Sequence, residues 1–124
     1  MAQENLQRTP GSSGNRQRYT FSVWAKLGTN YNQSYQPLFT TGTTGDRSQH
    51  GFLTDGRLQF RHVVNGSGYD TQSGTLFYDT SKWNHYLFVF NSTEGTASNR
   101  QKVYVNGEQI SMSGSFVPQN ANGS

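Results

Sequence analysis

The acid–base and metal-binding capacity of this chain rests on seven carboxylates and three histidines. The acids are Glu4, Glu94, Glu108, Asp46, Asp55, Asp70 and Asp79, and no two of them lie two residues apart. Cleaving a glycosidic bond needs two carboxyl groups facing one bond, one as acid and one as base or nucleophile. A strand brings residues i and i+2 to one face, so no single strand here supplies that pair. All seven acids are expected in loops, turns, the N-terminal arm or beside a hairpin. His50, His62 and His85 have neither a cysteine nor a second histidine at ligand spacing. No G-x-S-x-G elbow is present to present a nucleophilic serine. The histidines therefore read as structural, and the chain as a non-enzyme. Without cysteine, disulfide and thiolate chemistry are excluded. Ca²⁺ takes roughly six to eight oxygen ligands. Asp46, Asp70 and Asp79, in expected loops, are its candidate holders, but the acid supply is sparse and no D-x-D-x-D-G run occurs. No metal site and no cofactor are assigned.

Binding chemistry is better represented than catalysis. Tyr31, Tyr35 and Tyr69 are expected in polar loops beside Asn32, Gln33, Asn65 and Asp70. A sugar site joins an exposed ring under the apolar sugar face to amide and carboxyl groups that fix hydroxyls. The same tyrosines would equally cover a thin core or fill a protein interface, where Tyr is enriched.

The elements that must hold these residues are strands. The 124 residues fit one domain, with residues 1–15 as an arm and loop and 16–124 as the folded part. Apolar residues make up 31% of the chain and aromatic residues 14%, so the core must be thin and rich in rings. Arg16–Lys26 alternates Tyr19, Phe21, Val23 and Ala25 against Thr20, Ser22, Trp24 and Lys26, the period of a half-buried strand. Pro37 opens a short strand over Leu38–Thr41. Gly51–Thr54 and Arg57–Val64 flank Asp55-Gly56, read as a two-residue hairpin turn of the primed type. Asn65–Gly74 reads as a long loop. Tyr86–Phe90 is apolar on both faces, as for a strand covered on both sides. Arg100–Val105 and Glu108–Met112 form a hairpin about Asn106-Gly107. The tail from Ser113 is polar except for Phe116 and Val117. No helix is expected.

The net charge of +3 comes from cations spread along the chain. A nucleic-acid surface concentrates them on one face, so no nucleic-acid partner is assigned. No window approaches the roughly 18 apolar residues of a membrane span. Met1–Pro10 has no apolar core of the kind a secretory signal carries.

In order along the chain, Y-T-F-S-V-W-A-K, L-F-T, W-N-H-Y-L-F-V-F and V-Y-V-N-G-E-Q-I resemble the laminin G-like, concanavalin A-like jelly-roll superfamily. The opening R-T-P-G-S-S-G-N-R and the loop A-S-N-R are similar to versions of this domain found in bacteriophage virion and tail-associated proteins. The resemblance covers about residues 8–112. It implies an antiparallel β-sandwich in which Trp24, Trp83, His85, Phe88, Asn106 and Gly107 are structural. It also implies a binding or structural module on a virion surface, engaging glycans or neighbouring virion proteins. A lectin-like adhesion domain of a bacterial or extracellular surface protein, with or without calcium, is the alternative. Family members carry further strands at both ends. This chain is thus either a trimmed sandwich or one completed by another copy, which makes a homo-oligomer or larger assembly the expectation.

Overall fold

The computed structural model describes residues 9–12, 14–28 and 34–123. Among them the regular elements are β1 (Arg18–Ala25), β2 (Gln36–Gly42), β3 (Arg47–Phe52), β4 (Arg57–Val64), β5 (Ser67–Leu76), β6 (Asn84–Asn91), β7 (Gln101–Val105), β8 (Glu108–Ile110) and β9 (Met112–Gly114), with one 3₁₀ turn at Ala97–Asn99. All pairings are antiparallel. A four-stranded sheet in the order β1-β6-β7-β8 accompanies a five-stranded sheet in the order β2-β3-β4-β5-β9. This is the expected all-β antiparallel sandwich. Both sheets come from this chain: β9 pairs with β5, and Val117 in the tail is fully buried. The second sheet is therefore not borrowed from another copy.

The core between the sheets is ring-rich. Tyr86, Phe88 and Phe90 of β6 meet Phe52, Leu58 and Phe60 of β3 and β4. Phe60 and Phe88 pack edge to face at 5.4 Å, and Phe52 and Tyr86 at 5.3 Å. Such contacts bury large apolar area in few residues. The other side of β6 departs from the expectation of a strand covered twice. Leu87 and Val89 are half-buried on the outer face of the four-stranded sheet, with no third layer over them among the described residues. Trp24 and Trp83 are not part of the core either. Register sets Trp24 opposite His85 on that outer face, and the two tryptophans are 63% and 64% exposed.

Turn chemistry explains the remaining differences. Asn106 and Gly107 have φ of 51° and 85°, the primed turn expected there. Asn65 and Gly66 repeat it at 49° and 79°. Residues 65–74 are thus not a long loop but a tight turn followed by the ten-residue strand β5. At 55–56 only Gly56 has positive φ. Its N–H donates to the Leu53 carbonyl, and the Leu53 N–H to that of Arg57, which makes a three-residue loop rather than a two-residue one.

Candidate functional site

The outer face of the five-stranded sheet carries most of the polar side chains that could hold a ligand. Alternation along β4 sends Leu58, Phe60 and His62 inward and leaves Arg57, Gln59 and Arg61 outward. Across the β4–β5 pair, Arg61 lies opposite Asp70 and Gln59 opposite Gln72. Asp70 accepts from Arg61 Nη1 at 3.1 Å and from Gln59 Nε2 at 3.2 Å. Gly68 makes room for this pair, because a Cβ there would come within 3.2 Å of Arg61 Nη2.

Tyr35, the residue before β2, approaches the same group. The first residues of β2 lie so close to Gly51, which Pro37 faces in the ladder, that a Cβ on Gly51 would collide with the Gln36 carbonyl and lie 2.8 Å from Pro37 Cα. A register shift between Pro37 and Phe39 then returns the chain to its ladder with β3. Burial pushes the Tyr35 hydroxyl up to about 12, with the Arg61 guanidinium opposing the rise and the Asp70 carboxylate adding to it. The hydroxyl has no hydrogen-bond partner.

Of the residues expected to bind, the structure places Tyr35 and Asp70 within electrostatic range of each other. Tyr31, Asn32 and Gln33 lie outside the described residues. Tyr69 sits on the opposite side of β5 from Asp70 and packs against the core, facing His62 across the pair. Asn65 is held in the β4–β5 turn, its N–H bonded to Asp46 Oδ1 at 2.9 Å, and it does not join the group. Gln59, Arg61 and Gln72 were not expected as site residues, although the strict alternation of β4 already marked its outward row. The three acids considered for Ca²⁺ do not converge. Asp46 bonds Asn65, Asp70 bonds Gln59 and Arg61, and Asp79 bonds Ser81. Among the described residues no three His, Asp or Glu side chains form a group able to hold a metal ion. Asp70 is already matched by a cation, so these residues do not fit a shared divalent ion.

A second polar cluster spans the core. Tyr19 Oη lies 2.7 Å from His62 Nε2 and 3.0 Å from His50 Nε2. Gln101 orients the chain of bonds. Its Oε1 accepts from the Val117 N–H, and its Nε2 donates to the Phe60 carbonyl and approaches His62 Nδ1 at 3.5 Å. His62 Nδ1 is then an acceptor, so His62 Nε2–H donates to Tyr19, and Tyr19 O–H donates to His50 Nε2. Both imidazoles are neutral in this arrangement. Burial lowers His50 to about 4; burial and the neighbouring His50 lower His62 to about 3. Burial raises the Tyr19 hydroxyl far above its ordinary value. The cluster joins β1 and β7 of one sheet to β3 and β4 of the other, and its two histidines and Gln101 are fully buried, which gives it a structural role. The pairing of His50 with His62 was not expected, since register and not spacing brings them together.

His85 and Asn106 are structural in the local sense as well. His85 Nε2 lies 2.7 Å from Ser22 Oγ. Asn106 Oδ1 accepts from the His85 N–H and Asn106 Nδ2 donates to Asn84, tying the β7–β8 turn to the start of β6.

Two antiparallel sheets packed over an aromatic core, with ordered polar side chains on one outer face, are the build of a lectin-like β-sandwich. The family comparison agrees: the model of the concanavalin A-like lectin/glucanases superfamily matches residues 3–124. The chain belongs to that superfamily. Comparison with curated proteins finds no match.

Proposed function

We propose that this chain is a non-enzymatic binding module that holds a glycan on the outer face of its five-stranded sheet. One observation carries the reading: the Gln59–Asp70–Arg61 ladder is fixed on two rigid strands with Tyr35 laid beside it. Oriented amide, carboxylate and guanidinium groups next to a ring are what a sugar's hydroxyls and apolar face require. The non-enzymatic part is supported by the surroundings of Asp70. Its neighbours on that face are Gly68, Gln72, Gln59 and Arg61, none of them a second carboxylate. In this reading the module works without metal or cofactor.

The setting we propose is the surface of a bacteriophage virion, as a decoration, fibre or tail component, where such a module meets cell-surface glycans. Support comes from the R-T-P-G-S-S-G-N-R and A-S-N-R segments. An adhesion domain of a bacterial or extracellular surface protein is the alternative setting. A glycan array tests the site. The parent chain is expected to bind, and Tyr35→Ala and Asp70→Asn to lose most of the signal; no binding by the parent overturns the proposal. Reducing-sugar release from any bound polysaccharide would overturn its non-enzymatic part.

A second surface favours protein partners. The outer face of the four-stranded sheet sets the exposed Trp24 against His85 beside Leu87 and Val89, and Trp83, just before β6, is also exposed. Apolar patches of this kind mark association surfaces, which supports packing against neighbouring virion proteins or further copies of the chain. Light scattering of the purified chain tests self-association, and a monodisperse monomer at high micromolar concentration counts against it.

A further inference from the structure

Arginine usage on the candidate face is uneven. Arg16 donates to the Gly123 carbonyl, Arg18 to Thr93, and Arg100 to the carbonyls of Glu94, Gly95 and Val117. Arg57 pairs with Asp55 at 3.3 Å, and Arg61 with Asp70 at 3.1 Å. The Arg47 side chain, alone among the described arginines, makes neither a hydrogen bond nor an ion pair, and its Nε is buried without a partner. It is also half-buried rather than extended into solvent.

Arg47 lies in β3 on the same outward row as Gln49 and Gly51. Register places it opposite Val63 and Gln49 opposite Arg61, so Arg47 and Arg61 are diagonal neighbours across the β3–β4 pair. Diagonal side chains of this length reach one another. Arg61 is likewise only partly exposed, and its Nε is also buried and unpartnered. Two guanidinium groups at diagonal positions on a partly desolvated sheet repel each other as their tips approach; Asp70 lies on the far side of Arg61 from Arg47, and Asp46, which precedes Arg47, gives its carboxylate to the Asn65 N–H. Asp70 therefore balances Arg61, and Arg47 is left without an ion-pair partner. An oxyanion between the two would relieve the repulsion and occupy planar donor forks suited to carboxylate or sulfate.

We propose that Arg47 and Arg61 together bind an oxyanionic group of the glycan, so that the ligand class is a carboxylated or sulfated polysaccharide. The inference rests on the reading of this face as a glycan site and narrows it. Neutral sugars would still meet Tyr35, Gln59 and Asp70, but without the anchoring charge. A carboxylate and a sulfate ester offer the same two-oxygen edge to a guanidinium fork, so the test separates them.

Affinity electrophoresis of the full chain through gels containing polygalacturonate, dextran sulfate or unmodified dextran tests it. The expected result is retardation by one or both charged polymers and not by dextran, the stronger of the two identifying the anion. Arg47→Ala should weaken that retardation at least tenfold. Lys102→Ala removes the same charge from the outer face of the opposite sheet and should leave it nearly unchanged. Because the Arg47 side chain makes no bond, its substitution should leave the melting midpoint in place; Arg47→Gln is the second variant if the alanine form melts early. Equal loss in Arg47→Ala and Lys102→Ala would mean only general attraction between a cationic protein and a polyanion, and would overturn the proposal. Equal binding of dextran and the charged polymers, with Arg47→Ala unaffected, would also overturn it while leaving the glycan-site reading intact. Binding to none of the polymers, together with a blank glycan array, would remove both.

Discussion

Acid should loosen this sandwich well before its carboxylates titrate, because His50 and His62 are buried as neutral rings. Folding lowers them from the ordinary 6.5 to about 4 and about 3. The unfolded chain therefore binds more protons than the folded one between pH 6.5 and those values. Stability is full above about pH 7 and falls as the pH drops through 6.5, levelling off only near 4 for His50 and near 3 for His62. The geometry supplies the reason. A proton on His62 Nδ1 would face the amide of Gln101, and a proton on His50 Nε2 would face the Tyr19 hydroxyl, each a donor already. At 1.36 kcal/mol per unit, each ring removes ~2 kcal/mol between pH 7.5 and 5, or ~4 kcal/mol together. That is a large share of the roughly 5–15 kcal/mol that holds a typical domain, and amounts to a fall in melting midpoint on the order of 10–20 °C. Calorimetry or circular dichroism melts at half-unit pH steps would measure it. His50→Gln/His62→Gln should flatten the profile over this range whatever its absolute stability. A parent midpoint that moves by less than about 3 °C between pH 7.5 and 5 refutes the reasoning. So do imidazole proton resonances from both rings that titrate near 6.5 in the folded protein.

Other substitutions separate the inner and outer faces and the turns. Phe88→Ala removes a fully buried ring and should cost about 3–5 kcal/mol in denaturant melts, whereas Leu87→Ala, one residue away on the outer face, should cost much less. Gly51→Ala sets a methyl group into the path of Gln36 and Pro37; it should destabilise the chain by about 1–3 kcal/mol and also abolish any glycan signal that depends on Tyr35. Asn106→Ala loses two side-chain hydrogen bonds and a residue suited to positive φ, for about 2 kcal/mol, while Asn65→Ala loses only the turn preference and should cost less than half as much. Equal losses at the two asparagines would show that the side-chain ties of Asn106 carry no stability.

Apolar alternation made some elements legible in the sequence and its absence hid others. β1, β6 and the β7–β8 hairpin carry aromatic and aliphatic residues at period two and stand close to where they were expected. β5 does not. Its inward row holds Thr71 and Ser73, both buried, and its sequence S-G-Y-D-T-Q-S-G has the composition of a loop. Those hydroxyls can face the core because Thr71 Oγ1 donates to the Phe60 carbonyl and Ser73 Oγ accepts from the Leu58 N–H. A buried polar group that is hydrogen-bonded carries little penalty, so the strand forms without the pattern that would announce it. The Asn65-Gly66 turn was the available signal, being the same dipeptide as Asn106-Gly107.

The candidate site was hidden for a different reason. Tyr35 and Asp70 were both singled out by type, but as members of loops, and the tyrosine's chain neighbours were its expected partners. What brings Tyr35 toward Asp70 is the close packing of Gln36 and Pro37 on Gly51 at the start of β2 and the register of β4 against β5. Neither is a local property of the sequence around Tyr35. The same register turns Tyr69, adjacent to Asp70 in sequence, to the opposite side of the sheet. A binding face on a sheet is therefore assembled from every second residue of several strands, so polar alternation in β4 was a better guide to it than polar loops were. Arg57, Gln59 and Arg61 form that row. The row also separates the two surfaces of the module. Its guanidinium and amide groups, with Asp70 of β5 beside them, would suit the proposed hydroxyl- and charge-bearing ligand on the five-stranded sheet. The outer face of β6, with Leu87 and Val89 half-buried and Trp24 and Trp83 exposed beside it, favours an apolar partner on the other sheet. In the proposed reading, the core between them keeps the two faces at fixed separation, so that one chain would hold a ligand on one side while seated against a neighbour on the other.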